Sequence, residues 1–242
     1  MESARHDRIL LVSGDGAVGR CFPILVAYVG DYPEQTLVML VKTSNCPICP
    51  APCENIGDWE SKLEPCDTQK IIDVLNSVDR GATKFSKACA KARIKPIQCV
   101  FWKNLPFINI YHSITPDILH QLYQGILKHL ISWIWAACGD AEIDAKCHHL
   151  PPNHHIQLFM KGICHLSHIT RMEHDQISRF LLALVANVHL PDSHSNAWLV
   201  YAVHAFLDFI SLARYLIHTS ETLSQMNDAL HMFHLNSVWR LD

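Results

Sequence analysis

The sequence has little net charge of either sign. Over 242 residues, 20 Lys and Arg stand against 23 Asp and Glu, a formal net charge of −3. Nucleic-acid-binding domains usually carry a basic excess, so the composition argues against a protein held on DNA or RNA mainly by charge. One stretch, residues 84–96 (KFSKACAKARIKP), is basic throughout and has no acidic residue. It can be read as a solvated helix face or as a local basic patch.

Motifs that identify common enzyme classes are also missing. Residues 13–20, SGDGAVGR, are rich in glycine but lack the Lys-Ser/Thr ending of a phosphate-binding loop. Neither G-x-S-x-G nor H-E-x-x-H occurs. The first residues contain no apolar run of signal-peptide length. We therefore expect an intracellular protein, nuclear or cytoplasmic and not secreted, whose cysteines are thiols or metal ligands rather than disulfides.

A membrane partner is not expected either. Residues 197–217 form an apolar run that is long enough to span a bilayer. This run contains His204, Asp208 and Arg214, and ionisable side chains are costly inside lipid. The sequence therefore predicts a buried helix of a helical bundle.

Cysteine is abundant, and one pair has a metal-binding spacing. Cys46 and Cys49 form a C-x-x-C motif within a Pro- and Cys-rich loop, residues 45–67. Two thiolates at this spacing can bind one zinc ion from a tight turn. A structural zinc site needs four ligands, and the nearest further thiols are Cys53 and Cys66. The motif can therefore be interpreted in three ways: as half of a zinc site, as ordinary loop cysteines, or as a redox pair.

Two short acidic patterns are candidate sites as well. Asp31 and Glu34 follow an apolar run and could bind a hard cation such as Mg²⁺, which prefers oxygen ligands, or could simply form a turn. Asp117 and His120 are spaced i and i+3, so on a helix they share one face. That pair could bind metal, form a hydrogen bond, or only favour the start of the helix.

Periodicity divides the chain into a front with strands and a helical remainder. The apolar runs at residues 8–13 and 22–30 predict two buried strands, with Asp31 at the carboxyl end of the second. Short helices are predicted near residues 68–78 and 83–93. After residue 113 the pattern is helical. Thr115 is the predicted N-cap of a helix that ends at Gly139, and a further helix is predicted over residues 141–148.

Two further helix starts carry capping signals. Thr170 with Glu173 predicts a capping box, and Thr219 or Ser220 predicts the start of a last helix. The fold class is therefore mainly α with a small α/β front. The predicted division is residues 1–112, containing the Cys-rich loop, and residues 113–242, an all-α bundle.

Several long stretches, in this order, resemble one family. They are RCFPILVAYVGDYPEQTLVMLVKTSNCPICPAPCENIG (20–57), VFWKNLPFINIYHSITPDILHQLYQGILKHLISWI (100–134), AEIDAKCHHLPPNHHIQLFMKGICHLSHITRMEHDQISRFLLALV (141–185) and AVHAFLDFISLARYLIHTSETLSQMNDALHMFH (202–234). Together they resemble the Plavaka transposases, cut-and-paste DNA transposases of the Kyakuja–Dileera–Zisupton group of fungal transposons. The resemblance extends over nearly the whole chain.

The resemblance implies an RNase H-like core interrupted by a large helical insertion. Members of such a family use three acidic residues to bind two Mg²⁺ or Mn²⁺ ions that activate the attacking group on DNA. Asp31 matches the second of those acids. Cys46 and Cys49 match half of a zinc site, and Asp117 with His120 matches an Asp-x-x-His signature at the base of the insertion.

The family pattern also places two of its three catalytic acids outside the stretches that resemble the family. Its first catalytic aspartate lies upstream of the stretch that begins at residue 20, and its last glutamate lies downstream of the final stretch. A single carboxylate does not assemble a two-metal site. The expectation is a truncated, catalytically inactive relative of a DDE-type transposase. The alternative is a domesticated helical module that binds a protein or a nucleic acid through an exposed helical face.

Overall fold

The structure is a computed structural model that describes most of the chain. Described are residues 9–21, 24–42, 45–51, 53–57, 59, 63–77, 81–105, 107–166, 169–188, 190 and 196–237. The chain divides into two compact units, Met1–Pro116 and Asp117–Asp242. The described residues are mostly helical, which confirms the mainly α prediction.

The first unit contains one β-hairpin and several short helices. Strands β1 (Ile9–Val12) and β2 (Val18–Cys21) pair antiparallel, with Val12 opposite Val18. Four helices follow within the described residues of this unit: α1 (Tyr32–Val38), α2 (Thr68–Leu75), α3 (Ala82–Lys91) and α4 (Ile110–Ser113). A short 3₁₀ turn covers Cys53–Asn55. The two strands of the hairpin form the only sheet in the described part of the chain.

The prediction of two buried strands is wrong in two respects. The first predicted strand exists as β1, but Leu10, Leu11 and Val12 on it are exposed, at 64%, 51% and 70%. The second is not a strand. Where described, residues 24–30 are irregular, with one isolated bridge between Tyr28 and Ile114. Backbone hydrogen bonds at Ser13 close a tight turn, so β1 pairs with residues 18–21, just after the turn, rather than with the later apolar run.

The core of the first unit forms around a tryptophan. Trp102 is fully buried, and its indole N–H donates to the carbonyl of Val38 at 2.9 Å. Met39, Leu75 and Cys89 are also fully buried beside it. Because Leu75 on α2, Cys89 on α3 and Met39, directly after α1, are buried in one core, the hydrophobic effect holds these short helices together, although each is too short to be stable alone.

Helices are the main secondary structure of the described residues of the second unit, and residues 149–166 form an irregular connection. A π-helix, Ile118–Leu127, runs directly into α5 (Lys128–Cys138). After it come α6 (Asp140–His148), α7 (Arg171–Val185), α8 (Asn196–Ala213) and α9 (Ser220–Asn236). The predicted end of a helix at Gly139 is confirmed, since Gly139 has φ 85° and separates α5 from α6. The predicted capping box at Thr170 and Glu173 and the predicted cap at Thr219 are both present.

The predicted N-cap at Thr115 is wrong. Asp117 caps the helix instead, because its carboxylate accepts the backbone N–H of Leu119 at 3.0 Å and of His120 at 3.3 Å. The first ten residues of the helix are wound as a π-helix, which is rare over such a length. Gly125 suits this winding, since a Cβ there would lie 2.9 Å from the carbonyl oxygen of His120.

The core of the second unit draws on every helix. Its fully buried side chains include Leu127, Leu130, Ile143, Leu181 and Phe206. Helix α8 buries one face in this core at helical spacing. By length and composition α8 is also apolar enough to cross a membrane, and 33% of the tested window is buried.

Candidate functional site

The carboxylate of Asp31 caps a helix. Asp31 precedes α1, and its Oδ1 accepts the backbone N–H of Glu34 at 2.8 Å, with Pro33 in the first turn. Asp31 was predicted to lie at the end of a strand, and that placement is wrong because no strand forms before it. A short polar side chain followed by proline is typical of a helix start, and this local signal determined the structure.

Glu34 also has a hydrogen-bond partner. The hydroxyl of Tyr28 donates to Glu34 Oε1 at 2.6 Å, and this bond to a carboxylate raises the pKa of Tyr28. The two predicted acids therefore lie one helical turn apart, each accepting a hydrogen bond. Among the described residues, no set of three or more His, Cys, Asp or Glu side chains is arranged to hold a metal ion. A two-metal centre needs a larger cage of oxygen ligands, so the described residues around Asp31 do not fit one.

Cys46 and Cys49 lie in a tight turn that is organised around sulfur. The backbone N–H groups of Ile48 and Cys49 both point at the sulfur of Cys46, at 3.4 Å each. Both cysteines are half-buried. The donor set and the turn therefore fit one half of a zinc site.

Cys66 is attached to the same turn. Its backbone N–H donates to the carbonyl of Ile48 at 2.8 Å, between the two cysteines of the motif. Burial raises the pKa of the Cys66 thiol to about 11, and the nearby sulfurs of Cys49 and Cys46 add to the shift. Burial likewise raises the pKa of Cys49. Redox-active cysteines have lowered pKa values, so these environments argue against the redox reading.

Charged side chains of both signs surround the cysteine turn. A cavity of about 660 Å³ is lined by the three thiols, by the basic side chains Lys70, Lys91 and Arg93, and by the acidic side chains Glu64 and Asp67. Arg93 Nη1 donates to the carbonyl of Pro50 at 2.7 Å and so ties the loop to the end of α3. Sequence reasoning missed this role of Arg93. The only available signal was its place in the basic stretch at residues 84–96.

The basic stretch itself is one face of an amphipathic helix. Phe85 and Cys89 on α3 are buried, whereas Lys84, Lys87 and Lys91 are exposed. Buried apolar side chains at this spacing account for the helix without a ligand. The exposed lysines form a basic surface on α3. This surface is consistent both with a solvated helix face and with a local basic patch.

Asp117 and His120 are brought together at the start of the π-helix. Asp117 Oδ2 and His120 Nδ1 are 2.6 Å apart, while Asp117 Oδ1 caps the helix. One carboxylate thus serves two functions, and Asp117 is the more buried partner, with 13% of its side chain exposed against 32% for His120. This arrangement holds the first turn of the helix and orients the imidazole.

Removal of this carboxylate has a measurable expected cost. We expect Asp117→Ala to lower the free energy of unfolding of the second unit by about 1–2 kcal/mol, because the cap and the contact with His120 are lost together. His120→Ala keeps the cap and should cost less than half as much. Urea denaturation followed by circular dichroism gives both values. Equal losses in the two variants would show that the cap contributes little.

One polar cluster was not predicted. Asp175 on α7 accepts hydrogen bonds from the hydroxyl of Tyr123 at 3.1 Å, from Arg179 Nη2 at 2.8 Å and from Arg214. The spacing of Asp175 and Arg179 on one helix could have indicated their pairing. Nothing in the sequence connects Asp175 with Arg214, which is 39 residues away.

Comparison with known proteins gives a family match over the first part of the chain. The family model described as Plavaka transposase matches residues 1–134. This range contains Asp31, Cys46, Cys49, Asp117 and His120. The resembling stretches at 141–185 and 202–234 lie beyond it. No curated protein and no solved structure matches the chain.

Proposed function

The chain belongs to the Plavaka transposase family and is transposon-derived, and we propose that by itself it neither cuts nor joins DNA. The observation that carries this proposal is the environment of Asp31. Its carboxylate caps α1, and no group of three or more metal-binding side chains exists in the part of the chain that the structure describes. Two-metal phosphodiester chemistry needs several acids that converge on the cations.

The family supplies the remaining parts of the proposal. Intact members act on DNA, so we propose DNA as the ancestral partner and the nucleus as the cell compartment. Residues 1–112 would derive from the RNase H-like region and residues 113–242 from the helical insertion. Mg²⁺ or Mn²⁺ would supply Lewis-acid chemistry in an intact member. Because the described residues around Asp31 do not fit that pair of ions, no reaction step is assigned to this chain.

A cleavage assay tests the proposed inactivity. Purified protein is incubated with DNA that carries the element's terminal inverted repeats, with Mg²⁺ or with Mn²⁺, beside an Asp31→Ala variant. We expect no product from either protein above the level of a buffer control. Cleavage or strand transfer by the wild type that disappears in Asp31→Ala would contradict the proposal. Cleavage that persists equally in the variant identifies a contaminating nuclease.

We further propose that Cys46 and Cys49 supply two ligands of a zinc ion, with Cys66 as the nearest further thiol. The N–H groups directed at Cys46 and the backbone bond from Cys66 to the turn support this proposal. Zinc would have a structural function there, holding the Pro- and Cys-rich loop where few apolar contacts can. The motif lies within the matched residues.

Zinc content and loop stability give the matching prediction. We expect purified protein to contain about one zinc ion per chain, by analogy with structural sites, and Cys46→Ser and Cys49→Ser each to lose it, as measured by inductively coupled plasma mass spectrometry. Cys99→Ser is the matched control, since Cys99 is exposed and lies outside this cavity. Cys66→Ser tests the third ligand. Full zinc content in Cys46→Ser would show that the turn does not bind zinc.

A second candidate function is an interaction module in the helical unit. The connection between α8 and α9 exposes three large side chains together: Leu216 is 100% exposed, Ile217 80% and Tyr215 54%. Contiguous apolar side chains on a surface are typical of a contact site. We call this group the hairpin tip.

The hairpin tip can be tested without affecting the fold. We expect Leu216→Ser with Ile217→Ser to leave the free energy of unfolding within about 0.5 kcal/mol, because exposed side chains contribute little to it. The same change should lower concentration-dependent association in sedimentation velocity. If the variant associates as the wild type does, the hairpin tip is not the contact.

A further inference from the structure

Helices α8 and α9 form a hairpin with a groove on its outer surface. The two helices pack closely, and the rings of Phe206 and Phe233 lie 5.3 Å apart in the buried side of the contact. On the other side is a groove of about 530 Å³. Its lining includes Tyr201, His204, Asp208 and Tyr215 from α8 and its end, and Asp228 and Met232 from α9. We call this the α8–α9 groove.

Acidic residues outnumber lysine and arginine in the hairpin around this groove. Residues 196–237 contain no lysine and a single arginine, Arg214, against Asp208, Glu221 and Asp228. The guanidinium of Arg214 is bonded to Asp175 and to the hydroxyl of Tyr123, so its charge is matched elsewhere. Asp208 forms an ion pair with His204, at 3.1 Å, and both side chains are more than half exposed. The groove therefore holds two carboxylates and no lysine or arginine.

Aromatic faces complete the lining. Tyr201 and Tyr215 are 57% and 54% exposed, although both are large side chains that are often buried. Tyrosine faces attract cations, and they attract the planar guanidinium in particular. Carboxylates bind the same group through paired hydrogen bonds. A groove that is lined by both carboxylates and exposed tyrosine rings is thus complementary to an arginine side chain.

We propose that the α8–α9 groove binds arginine side chains of a partner peptide. This inference rests on the interaction role proposed for the helical unit and names the chemistry of its partner. The carboxylates of Asp208 and Asp228 would pair with the guanidinium, and Tyr201 and Tyr215 would contact its faces. Phosphates of DNA would meet negative charge here, so the groove excludes a nucleic acid as the occupant.

Peptide binding by the full chain tests the proposal. The probe is a fluorescently labelled peptide of alternating Arg and Ser, measured by fluorescence anisotropy at low and at physiological salt. We expect binding that weakens as salt rises and that falls about tenfold or more when citrulline replaces arginine, because the charge-assisted bonds are lost. The double variant Asp208→Asn with Asp228→Asn should show a similar loss.

Matched variants separate the groove from the rest of the hairpin. Glu221→Gln removes an acid from the same hairpin but outside the groove lining, and it should bind the peptide within about twofold of the wild type. Tyr201→Leu should weaken binding while it preserves the carboxylates. Leu216→Ser with Ile217→Ser, which changes the tip outside the groove lining, should bind the peptide normally. Failure at the tip and failure at the groove are thereby distinguishable. Circular dichroism verifies that each variant is folded.

Several outcomes would overturn the inference. One is the absence of peptide binding at low salt, and another is equal binding of the citrulline peptide. Binding that survives Asp208→Asn with Asp228→Asn would place the peptide elsewhere. If duplex DNA rather than the peptide is bound and lost in the double variant, the occupant is a nucleic acid. If the chain self-associates and Lys84→Gln, Lys87→Gln and Lys91→Gln abolish the association, the occupant is a second copy.

Discussion

Gly162→Ala is expected to lower the free energy of unfolding of the second unit by about 3 kcal/mol or more, because it combines backbone strain with loss of two charge-assisted hydrogen bonds. Gly162 has φ +77°, a conformation that alanine adopts only with strain. A Cβ at this position would also overlap the carboxylate of Asp144. That carboxylate accepts the backbone N–H of Ile163 at 2.8 Å and of Cys164 at 3.1 Å. It cannot move away without breaking these bonds.

Gly139→Ala is the matched control for this prediction. Gly139 lies in the same unit with φ +85°, and nothing is within 4 Å of a Cβ built there. It therefore reports the backbone cost alone, about 1–3 kcal/mol. In Asp144→Ala combined with Gly162→Ala the clash is absent, so the double variant should be clearly less destabilised than the sum of the single variants. Additive losses would show that Asp144 and Gly162 are not coupled.

Asp175→Ala is expected to destabilise the same unit by about 2–4 kcal/mol, because it removes an acceptor shared by three donors, one of them on a buried tyrosine. Only 18% of the Asp175 side chain is exposed, and Tyr123 is buried. Without the carboxylate, the charge of Arg214 loses its partner. The Arg179 side chain is 43% exposed, against 18% for Asp175, and truncation of Arg179 should therefore cost less than truncation of Asp175. Thermal and urea denaturation monitored by circular dichroism give the values.

Asp208→Ala serves as the control for the removal of a carboxylate. Its ion pair with His204 lies on the surface, with 54% of the Asp208 side chain exposed. Exposed ion pairs contribute about 0–1 kcal/mol, so this variant should unfold nearly as the wild type does. If Asp175→Ala also stays within that range, the cluster at Asp175 does not stabilise the unit.

The acid dependence of stability follows from the same cluster. Burial opposes the ionisation of Asp175, but the hydrogen bond from Arg179 and the charge of Arg214 outweigh it and hold the pKa of Asp175 below its usual range. A lowered pKa gives stability that is complete above the unfolded pKa, about 3.9. That stability is lost as pH falls towards the folded pKa. The gap between wild type and Asp175→Asn should therefore be constant near neutral pH and should shrink in acid.

Features that depend on neighbouring residues could be predicted. The capping box at Thr170 and Glu173 needs only residues three apart, and it forms as predicted. The end of a helix at Gly139 and the helix Asp140–His148 follow from local preferences too. Asp117 and His120 share a face because they are three residues apart. In each case the interacting groups are fixed by the helical repeat.

Features that depend on distant residues could not be predicted. No spacing rule joins Asp144 to Gly162, Arg214 to Asp175, or Cys66 to the turn at Ile48. The prediction of the second strand was wrong for a related reason. Its apolar run at residues 24–29 is typical of a strand, but a strand needs a partner, and β1 pairs with residues 18–21. The π-helix at Ile118–Leu127 has no sequence signal of its own apart from the tolerance of Gly125.

The sequence by itself determined the family, the helical character of most of the chain, and several of the residues that cap its helices. The family is visible in stretches of sequence that resemble its members, and helices and caps depend on local hydrogen bonds. Only the tertiary structure decided how the candidate site residues are used. It assigned the Asp31 carboxylate to a helix cap and placed Cys66 on the cysteine turn. It also brought Asp208 and Asp228 into one groove. These outcomes depend on which distant surfaces pack together, and packing is set by the whole core rather than by any short stretch.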